Sequence, residues 1–222
     1  MKIHSGVGYD LIIAEILPGT KVLDLGCGDG TLLQKLRDTK SVTPYGVEIS
    51  EDGVCQCVEK GLYCYQGDID VGLADYRDNS FDYVILNQTL QITKRPAYVL
   101  SEMMRISKNA IVSFPNFGYF KTRLQLLVTG TMPKNVLLPY EWYETPNIHL
   151  LTIRDFQAFC EMNRFPVKRE YHFSVSSRGE SCRIRTLPNM LAQYGFFVLD
   201  GEKFTNNHSH SDAYASFSSR ME

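Results

Sequence analysis

The sequence has no long apolar run, and its longest apolar stretches, such as Tyr83 to Leu86, have the length of a single strand. A membrane-spanning helix needs about 20 apolar residues, so no such helix is expected. Residues 1 to 5 also lack the apolar core and cleavage site of a secretion signal. We therefore expect a cytoplasmic protein that makes no membrane contact.

An excess of basic charge is also missing. The chain has 23 lysines and arginines against 25 aspartates and glutamates, which gives a net charge of -2. Non-specific binding to nucleic acid depends on basic groups that neutralise phosphates, and a balanced chain has no broad positive field. Nucleic acid is therefore not expected as a partner.

Paired cysteine spacing is absent as well. The six cysteines, at positions 27, 55, 57, 64, 160 and 182, form no CxxC motif. Cys55 and Cys57 should point to different faces of a helix, because helix positions two apart do not face each other. We therefore expect free thiols in a reducing compartment and predict no metal site.

The sequence does contain a repeated pattern of strand, turn and helix. A short apolar strand at 22–25 runs into Gly26, and a helical pattern at 29–36 follows. Further strands are predicted at 44–49, 62–66, 81–86 and 110–114, and further helices at 50–60, 97–106 and 119–128. Five such units in series predict a mostly parallel sheet with helices on both faces, because parallel neighbours need right-handed crossovers.

The C-terminal part departs from this pattern. Thr152 begins a predicted helix to Met162, and the segments 166–173 and 192–199 suit an antiparallel hairpin that closes the sheet edge. The predicted fold class is therefore α/β and Rossmann-like, with a mostly parallel seven-stranded sheet. We expect one domain over residues 1–200. Residues 201–222 are rich in Thr, Asn, His and Ser, and we expect a flexible polar tail there.

Three alternating glycines follow the first strand, within Asp24-Leu25-Gly26-Cys27-Gly28-Asp29-Gly30. Without a Cβ, such a backbone can approach a ligand closely. The dinucleotide fingerprint GxGxxG would require glycine at position 31, where this chain has Thr31. Asp24 would also repel a pyrophosphate. A ligand that carries an ammonium and a sulfonium fits better, which points to S-adenosylmethionine or its product S-adenosylhomocysteine.

Two further acids follow the next two strands. Glu48 ends the second strand and can accept hydrogen bonds from a ribose diol, and Asp68 follows the third and can accept from an adenine amino group. Carboxyl ends of parallel strands meet at one sheet edge, so one ligand could contact all three acids. The alternative is that these acids only cap helices or turn the chain. The predicted cofactor-binding set is Asp24, Gly26, Gly28, Gly30, Glu48, Ile49, Asp68, Ile69 and Asn87.

Several stretches together resemble the family of the methionine biosynthesis protein MetW. They are the glycine segment, Gln-Gly-Asp at 66–68, Asn-Gln-Thr-Leu-Gln at 87–91, Ser-Phe-Pro-Asn-Phe-Gly at 113–118 and Leu-Pro-Tyr-Glu-Trp-Tyr-Glu-Thr-Pro-Asn-Ile-His at 138–149. The likeness spans about residues 8 to 200. It implies a bacterial protein with a class I methyltransferase fold that works beside the homoserine O-acyltransferase MetX in methionine synthesis, and it implies no particular methyl acceptor. The cysteine-rich stretch from 55 to 64 departs from the family pattern.

The connection at 131–149, dense in proline and aromatics, is predicted to be a lid or binding loop. Its polar groups provide the predicted catalytic residues His149, Tyr143 and Glu141, of which His149 is the candidate base by its ordinary pKa. His149 could instead be structural. The aromatics around Trp142 could pack the lid or meet a partner protein. An S-adenosylmethionine-binding accessory protein and a small-molecule methyltransferase both remain open, whereas the charge balance and the 87–91 segment disfavour a nucleic-acid methyltransferase.

Overall fold

A computed structural model describes residues 8–134, 138–175 and 181–207 of the 222-residue chain. Within these ranges the strands are β1 Lys21–Leu25, β2 Thr43–Glu48, β3 Tyr63–Gln66, β4 Phe81–Asn87, β5 Ser107–Pro115, β6 Val167–Val175, β7 Ser181–Arg183 and β8 Tyr194–Asp200. The helices are α1 Tyr9–Glu15, α2 Thr31–Lys40, α3 Glu51–Glu59, α4 Pro96–Ile106, α5 Phe120–Thr129, α6 Ile153–Met162, α7 Pro188–Leu191 and α8 Gly201–Asn207, with a 3-10 turn at Leu90–Ile92. None of these described helices has the length and apolar character to span a bilayer.

All eight strands form one sheet in the order β3-β2-β1-β4-β5-β8-β6-β7. The strands from β3 to β5 pair in parallel, and β8, β6 and β7 pair antiparallel. The predicted mostly parallel sheet with an antiparallel edge is therefore confirmed. The chain moves outward from β1 to β3 and returns on the other side at β4, so the topological switch point lies between β1 and β4.

The sequence prediction differs from the structure in two places within the sheet. The sheet has eight strands rather than seven, because β7 is an edge strand of three exposed residues with no apolar alternation to reveal it. The third of the five predicted units has turns at residues 69–75 where the others have a helix. This turn region is held to the next unit by Asp70, whose carboxylate accepts from the backbone N–H groups of Lys94 and Arg95 at 2.9 and 2.8 Å.

The two faces of the sheet each carry a hydrophobic core. Val84 and Leu86 on β4 pack into the core that contains α4 and α6, whereas Tyr83 and Ile85 pack into the core with α1 and α2. A strand that is buried on both faces reads as a continuous apolar run, which is why β4 is conspicuous in the sequence. Each fully buried apolar side chain contributes about 1.5–3 kcal/mol, so this strand anchors the sheet beside the switch point.

The packed domain extends beyond the predicted boundary at residue 200. Residues 201–207 form α8, and Phe204 on it is 4% exposed and belongs to the main core. Gly201 is buried where a Cβ would lie 1.9 Å from the carbonyl oxygen of Ser107, so only glycine fits. The boundary prediction is wrong for these seven residues, because one aromatic side chain anchors a polar helix. The remainder of the predicted tail, 208–222, lies outside the described residues.

Candidate ligand-binding site

The glycine loop between β1 and α2 has a backbone that side chains rarely adopt. Gly26, Gly28 and Gly30 have φ angles of 74°, 56° and 74°. A Cβ at Gly26 would lie 2.9 Å from Thr89, and one at Gly30 would lie 2.7 Å from Leu62. No described heavy atom lies within 4 Å of a Cβ built on Gly28. The outer glycines are therefore required for packing, while Gly28 leaves open space in front of the loop.

Asp24, near the end of β1, is a buried carboxylate without a partner. It is 3% exposed, and no hydrogen bond from any described residue reaches its side chain. Burial, which is the larger cause, and the nearby charge of Glu48 together raise the pKa of Asp24 to about 7. A folded protein rarely retains an uncompensated buried acid, so this group is poised for a cationic ligand.

Glu48, at the end of β2, is 9% exposed and holds the glycine loop. Its two carboxylate oxygens accept from the backbone N–H groups of Gly28 at 2.8 Å and Ser50 at 2.9 Å. The cap of α3 is the Ser50 side chain, which accepts from Gly53 N–H at 3.4 Å. Neither Asp24 nor Glu48 is a helix cap, since the N-cap of α2 is Gly30. Each Glu48 oxygen retains a lone pair for a ligand hydroxyl.

The predicted residues beyond Glu48 have mixed placements. Ile49 is 65% exposed, and Asp68 is half-buried with its carboxylate accepting from Asp70 N–H at 2.9 Å. Ile69 is 9% exposed and packs in the main core. The Ile69 side chain therefore serves the core, and only its backbone is left to face a ligand. Asp68 stabilises its own turn and keeps its second oxygen for another donor.

A cavity of about 300 Å³ lies in front of the glycine loop, at the switch point of the sheet. It is lined by Tyr9, Asp24, Gly26, Cys27, Gly28, Asp29, Asn87, Gln88, Thr89, Gln91, Ile92, Pro115, Pro139, Tyr140, Pro146 and Asn147. This volume is at the lower end for small-molecule sites. Of the predicted set, Asp24, Gly26, Gly28 and Asn87 line this cavity, whereas Gly30, Glu48, Ile49, Asp68 and Ile69 do not.

The segment after β4 supplies the amide groups of the cavity wall. The side-chain oxygen of Asn87 accepts from the Ser113 hydroxyl at 2.5 Å, which leaves the Asn87 NH₂ group for the cavity. Gln91 donates to the Gln88 carbonyl at 2.7 Å, and its own Oε1 is buried with no partner among the described residues. An orphaned buried acceptor beside an unpartnered carboxylate indicates a ligand that donates hydrogen bonds.

The three predicted catalytic residues do not line this cavity. Glu141 pairs with Lys134 and faces a second cavity of about 800 Å³. Tyr143 is 66% exposed and packs edge-on against Trp142. His149 is exposed and borders a third cavity of about 330 Å³. None of the three therefore contributes to the wall of the cavity that Asp24 lines, and their catalytic role stays a prediction.

Four other described residues of the same segment, Pro139, Tyr140, Pro146 and Asn147, do line the ligand cavity. Tyr140 and Asn147 also line the second cavity, so they form the boundary between the two spaces. The segment is attached to the cavity wall through Gln91, whose carbonyl accepts from the N–H groups of Ile148 and His149, each at 3.0 Å. Sequence reasoning identified the segment correctly as a covering element but could not show which side chains point inward.

Asn116, which directly follows β5, has a structural role. It is 1% exposed. Its oxygen accepts from Gly118 N–H and Ile153 N–H, and its NH₂ group donates to the carbonyls of Asn189 and Ala192. Tyr9 from α1 also lines the cavity, and sequence reasoning missed it because α1 is a short helix distant in the chain from the rest of the site.

Several solved structures with a similar fold are described as S-adenosylmethionine-dependent methyltransferases. One from Thermotoga maritima, described as a possible histamine N-methyltransferase, has a TM-score of 0.64 at 15% identity and covers 90% of each chain. One from Mesorhizobium loti has a TM-score of 0.63 at 14% identity and covers 87% of this chain and 97% of that one. At such identities the likeness shows the fold, and it confirms the predicted class I methyltransferase fold.

Sequence relatives are more specific. The bifunctional methionine biosynthesis protein MetXA/MetW of Rhodopirellula baltica is 35% identical over 201 residues, which is 86% of this chain. The match covers 32% of that protein, so the chain spans about a third of its length. The family model for methionine biosynthesis protein MetW matches residues 7–199. The chain therefore belongs to the MetW family.

Proposed function

We propose that this chain binds S-adenosylmethionine, or S-adenosylhomocysteine, in the cavity in front of the glycine loop and acts in methionine biosynthesis beside a homoserine O-acyltransferase. The observation that carries the ligand assignment is the buried, unpartnered carboxylate of Asp24 next to the open side of Gly28. A ligand with an ammonium group compensates that buried charge, whereas a phosphate would add to it.

Different residues of the site would contact different parts of the ligand. Bound S-adenosylmethionine would supply an activated methyl group, whereas its demethylated product S-adenosylhomocysteine would supply none. Asp24, in the cavity wall, would accept from the amino-acid ammonium. Glu48 lies behind the wall residue Gly28, whose N–H group it accepts, and would accept from hydroxyls of the ribose where the ligand extends beyond the cavity. The Gln91 Oε1 atom would accept from a ligand donor. These roles need only binding and orientation, so they serve an enzyme and an accessory protein equally.

Calorimetry of two alanine variants tests the ligand assignment. Asp24→Ala and Glu48→Ala should each weaken S-adenosylmethionine binding by about 1–3 kcal/mol, because each removes charge-assisted hydrogen bonds. Glu51→Ala is the matched control, since Glu51 is an exposed acid in the first turn of α3, three residues from Glu48. Unchanged affinity in both site variants would remove the assignment.

The partner proposal starts from the MetXA/MetW relative, in which a region similar to this chain is joined to a longer second part. This chain also has an outer apolar surface, defined by Leu124, Leu127, Val128, Trp142 and Tyr143, which are 54%, 83%, 73%, 72% and 66% exposed. Gln125 of α5 and Trp142 line the same cavity, so the two segments adjoin. Apolar patches of this kind mark protein contact sites, and Trp and Tyr are favoured at their centres.

Co-purification tests this partner. The chain should co-elute with the homoserine O-acyltransferase of its own organism and change its rate, and Leu127→Asp should abolish both effects. Tyr63→Asp is the control, because Tyr63 is 71% exposed on the outer strand β3 of the sheet. If the wild-type chain forms no complex and leaves the rate unchanged, the accessory role is excluded.

One observation favours a second function, a small-molecule methyltransferase. The second cavity, of about 800 Å³, meets the ligand cavity at Tyr140 and Asn147 and is large enough for an acceptor. Release of S-adenosylhomocysteine with added metabolite fractions distinguishes the two functions. An enzyme should show release that falls in Tyr140→Phe, whereas an accessory protein should bind the cofactor without turnover.

A further inference from the structure

Three cysteines that are distant in the sequence meet behind the glycine loop. The Sγ atom of Cys27 lies 3.8 Å from that of Cys57 and 3.6 Å from that of Cys64. All three sulfur atoms lie within 4.8 Å of one another. Cys27 belongs to the glycine loop, Cys57 to α3 and Cys64 to β3, so three separate elements contribute one thiol each. We refer to them as the thiol trio.

Glycines leave the space that the thiol trio occupies. A Cβ at Gly46 of β2 would lie 2.5 Å from the Cys27 sulfur, and a Cβ at Gly30 would lie 2.8 Å from the Cys57 sulfur. Gly46 pairs with Cys64 in the β2–β3 register, so Cys27 reaches Cys64 across a position that has no side chain. The other members of this cluster, Leu33 and Leu62, are apolar, which leaves the thiols few partners besides one another.

We propose that the thiol trio binds a thiophilic metal ion with a filled d shell, Zn(II) or Cu(I). A tetrahedral Zn(II) site with Zn–S bonds of about 2.3 Å places its sulfur atoms about 3.8 Å apart, which agrees with the observed separations of 3.6 and 3.8 Å. Three convergent sulfur atoms also match the thiolate ligand sets that select Cu(I).

The thiol trio is accessible to a metal ion from one side. Each thiol must lose its proton to bind a metal, since the thiolate is the ligand. A metal ion displaces these protons as it binds. Cys64 is only half-buried on the outer strand β3, which gives an ion an entry path.

A fourth ligand and a link to the ligand cavity are both close by. The Gly28 carbonyl lies 3.4 Å from the Cys57 sulfur, so this carbonyl or a water molecule can complete the coordination. Cys27 and Gly28 also line the ligand cavity. An ion bound to the thiol trio would therefore fix the loop from behind. This site stands on its own geometry and does not depend on the identity of the ligand in front.

Cobalt titration of the reduced, metal-free full-length protein tests the proposal. One equivalent of Co(II) should give sulfur-to-metal charge-transfer absorption and tetrahedral d–d bands. One equivalent of Zn(II) or Cu(I) should then displace the bound Co(II) and remove these bands. Cys57→Ser and Cys64→Ser should each weaken binding by more than about tenfold, since removing a ligand should cost at least as much as removing a second-shell partner. Cys55→Ser is the matched control, because Cys55 lies on the same helix two residues from Cys57 but is exposed.

The controls keep the result decisive. Circular dichroism checks folding, and Cys64→Ser, at a half-buried edge position, tests the site even if Cys57→Ser fails to fold. Thiolate bands that are lost in the trio variants and retained in Cys55→Ser support the proposal. The absence of thiolate bands, an equal loss in Cys55→Ser, or a disulfide between Cys27 and Cys64 in the protein as purified under air would overturn it.

Discussion

The glycine loop and the described residues of the covering segment, 131–134 and 138–149, both contribute to the wall of the ligand cavity but are built in different ways. The loop is fixed by positive φ angles, by the contacts of Gly26 and Gly30, and by the Glu48 carboxylate. The covering segment has few buried side chains among its described residues, and Trp142 and Tyr143 are mostly exposed. It is held to the cavity wall mainly through the Gln91 carbonyl.

This difference shows which half of the site is preorganised. The loop side presents a buried carboxylate in a rigid frame, so it can bind a ligand without rearrangement. The covering side presents aromatic surface to solvent, and its described residues Pro139, Tyr140, Pro146 and Asn147 line the cavity. Segments with few buried contacts open at low free-energy cost, so we expect specificity for the acceptor or partner to be set on that side.

The largest expected effect comes from Asp24→Asn. The pKa of Asp24 is about 7 in the folded protein against an ordinary value of 3.8, so its contribution to stability is present below pH 3.8 and is lost as the pH rises through 7. The variant avoids this loss. At pH 8 its free energy of unfolding should exceed that of the wild type by up to about 4 kcal/mol, and the difference should disappear near pH 4. Urea denaturation across this pH range measures it.

The same variant should lose ligand binding while it gains stability. Wild-type affinity for S-adenosylmethionine should rise as the pH increases through 7, because the ligand's cationic group needs the ionised carboxylate, and the Asn variant should show no rise from this group. Equal stability of the two proteins at pH 8, together with parallel pH profiles for binding, would contradict the picture of a strained, preorganised acid.

A smaller effect separates ligand contact from backbone strain. Gly28→Ala and Gly130→Ala place a Cβ at φ angles of 56° and 65°, and neither Cβ would meet an atom within 4 Å. Each should lower the free energy of unfolding by about 1–2 kcal/mol through strain alone. Only Gly28→Ala should weaken ligand binding, because its methyl group enters the cavity. Calorimetry that finds the same affinity for both variants would contradict this assignment of Gly28.

The smallest effect on stability is expected at the covering segment. Trp142→Ala should change the free energy of unfolding by less than about 0.5 kcal/mol, because the side chain is 72% exposed. It should leave S-adenosylmethionine affinity unchanged and weaken the acyltransferase complex. A thermal unfolding midpoint that falls by many degrees would show instead that this aromatic side chain packs the segment.

The sheet could be predicted from the sequence because its signals are local. Apolar runs such as that of β4, glycine turns and the capping residues Thr152 and Ser50 each report on their own element. The short strand β7 and the helix α8 were missed. Both are defined by packing rather than by an apolar pattern of their own: β7 by its pairing with β6, and α8 by the insertion of Phe204 into the core.

The candidate site could be predicted where the chain direction alone places a residue. Asp24 and Glu48 follow from their positions at strand ends, since parallel strands end at one edge of the sheet. The predicted catalytic roles of Glu141, Tyr143 and His149 could not be judged in this way. Side-chain direction in an irregular segment is set by its contacts and not by a period, and here these three side chains face away from the cavity.

The sequence by itself determined the family, the parallel sheet and the acidic residues at one edge of it, because apolar periodicity, glycine spacing and strand order act over short distances. The tertiary structure alone decided that no described residue hydrogen-bonds the buried Asp24 carboxylate, that none reaches the Oε1 atom of Gln91, and that Cys27, Cys57 and Cys64 meet. Burial and convergence depend on packing between elements that lie tens of residues apart, and no local pattern encodes them.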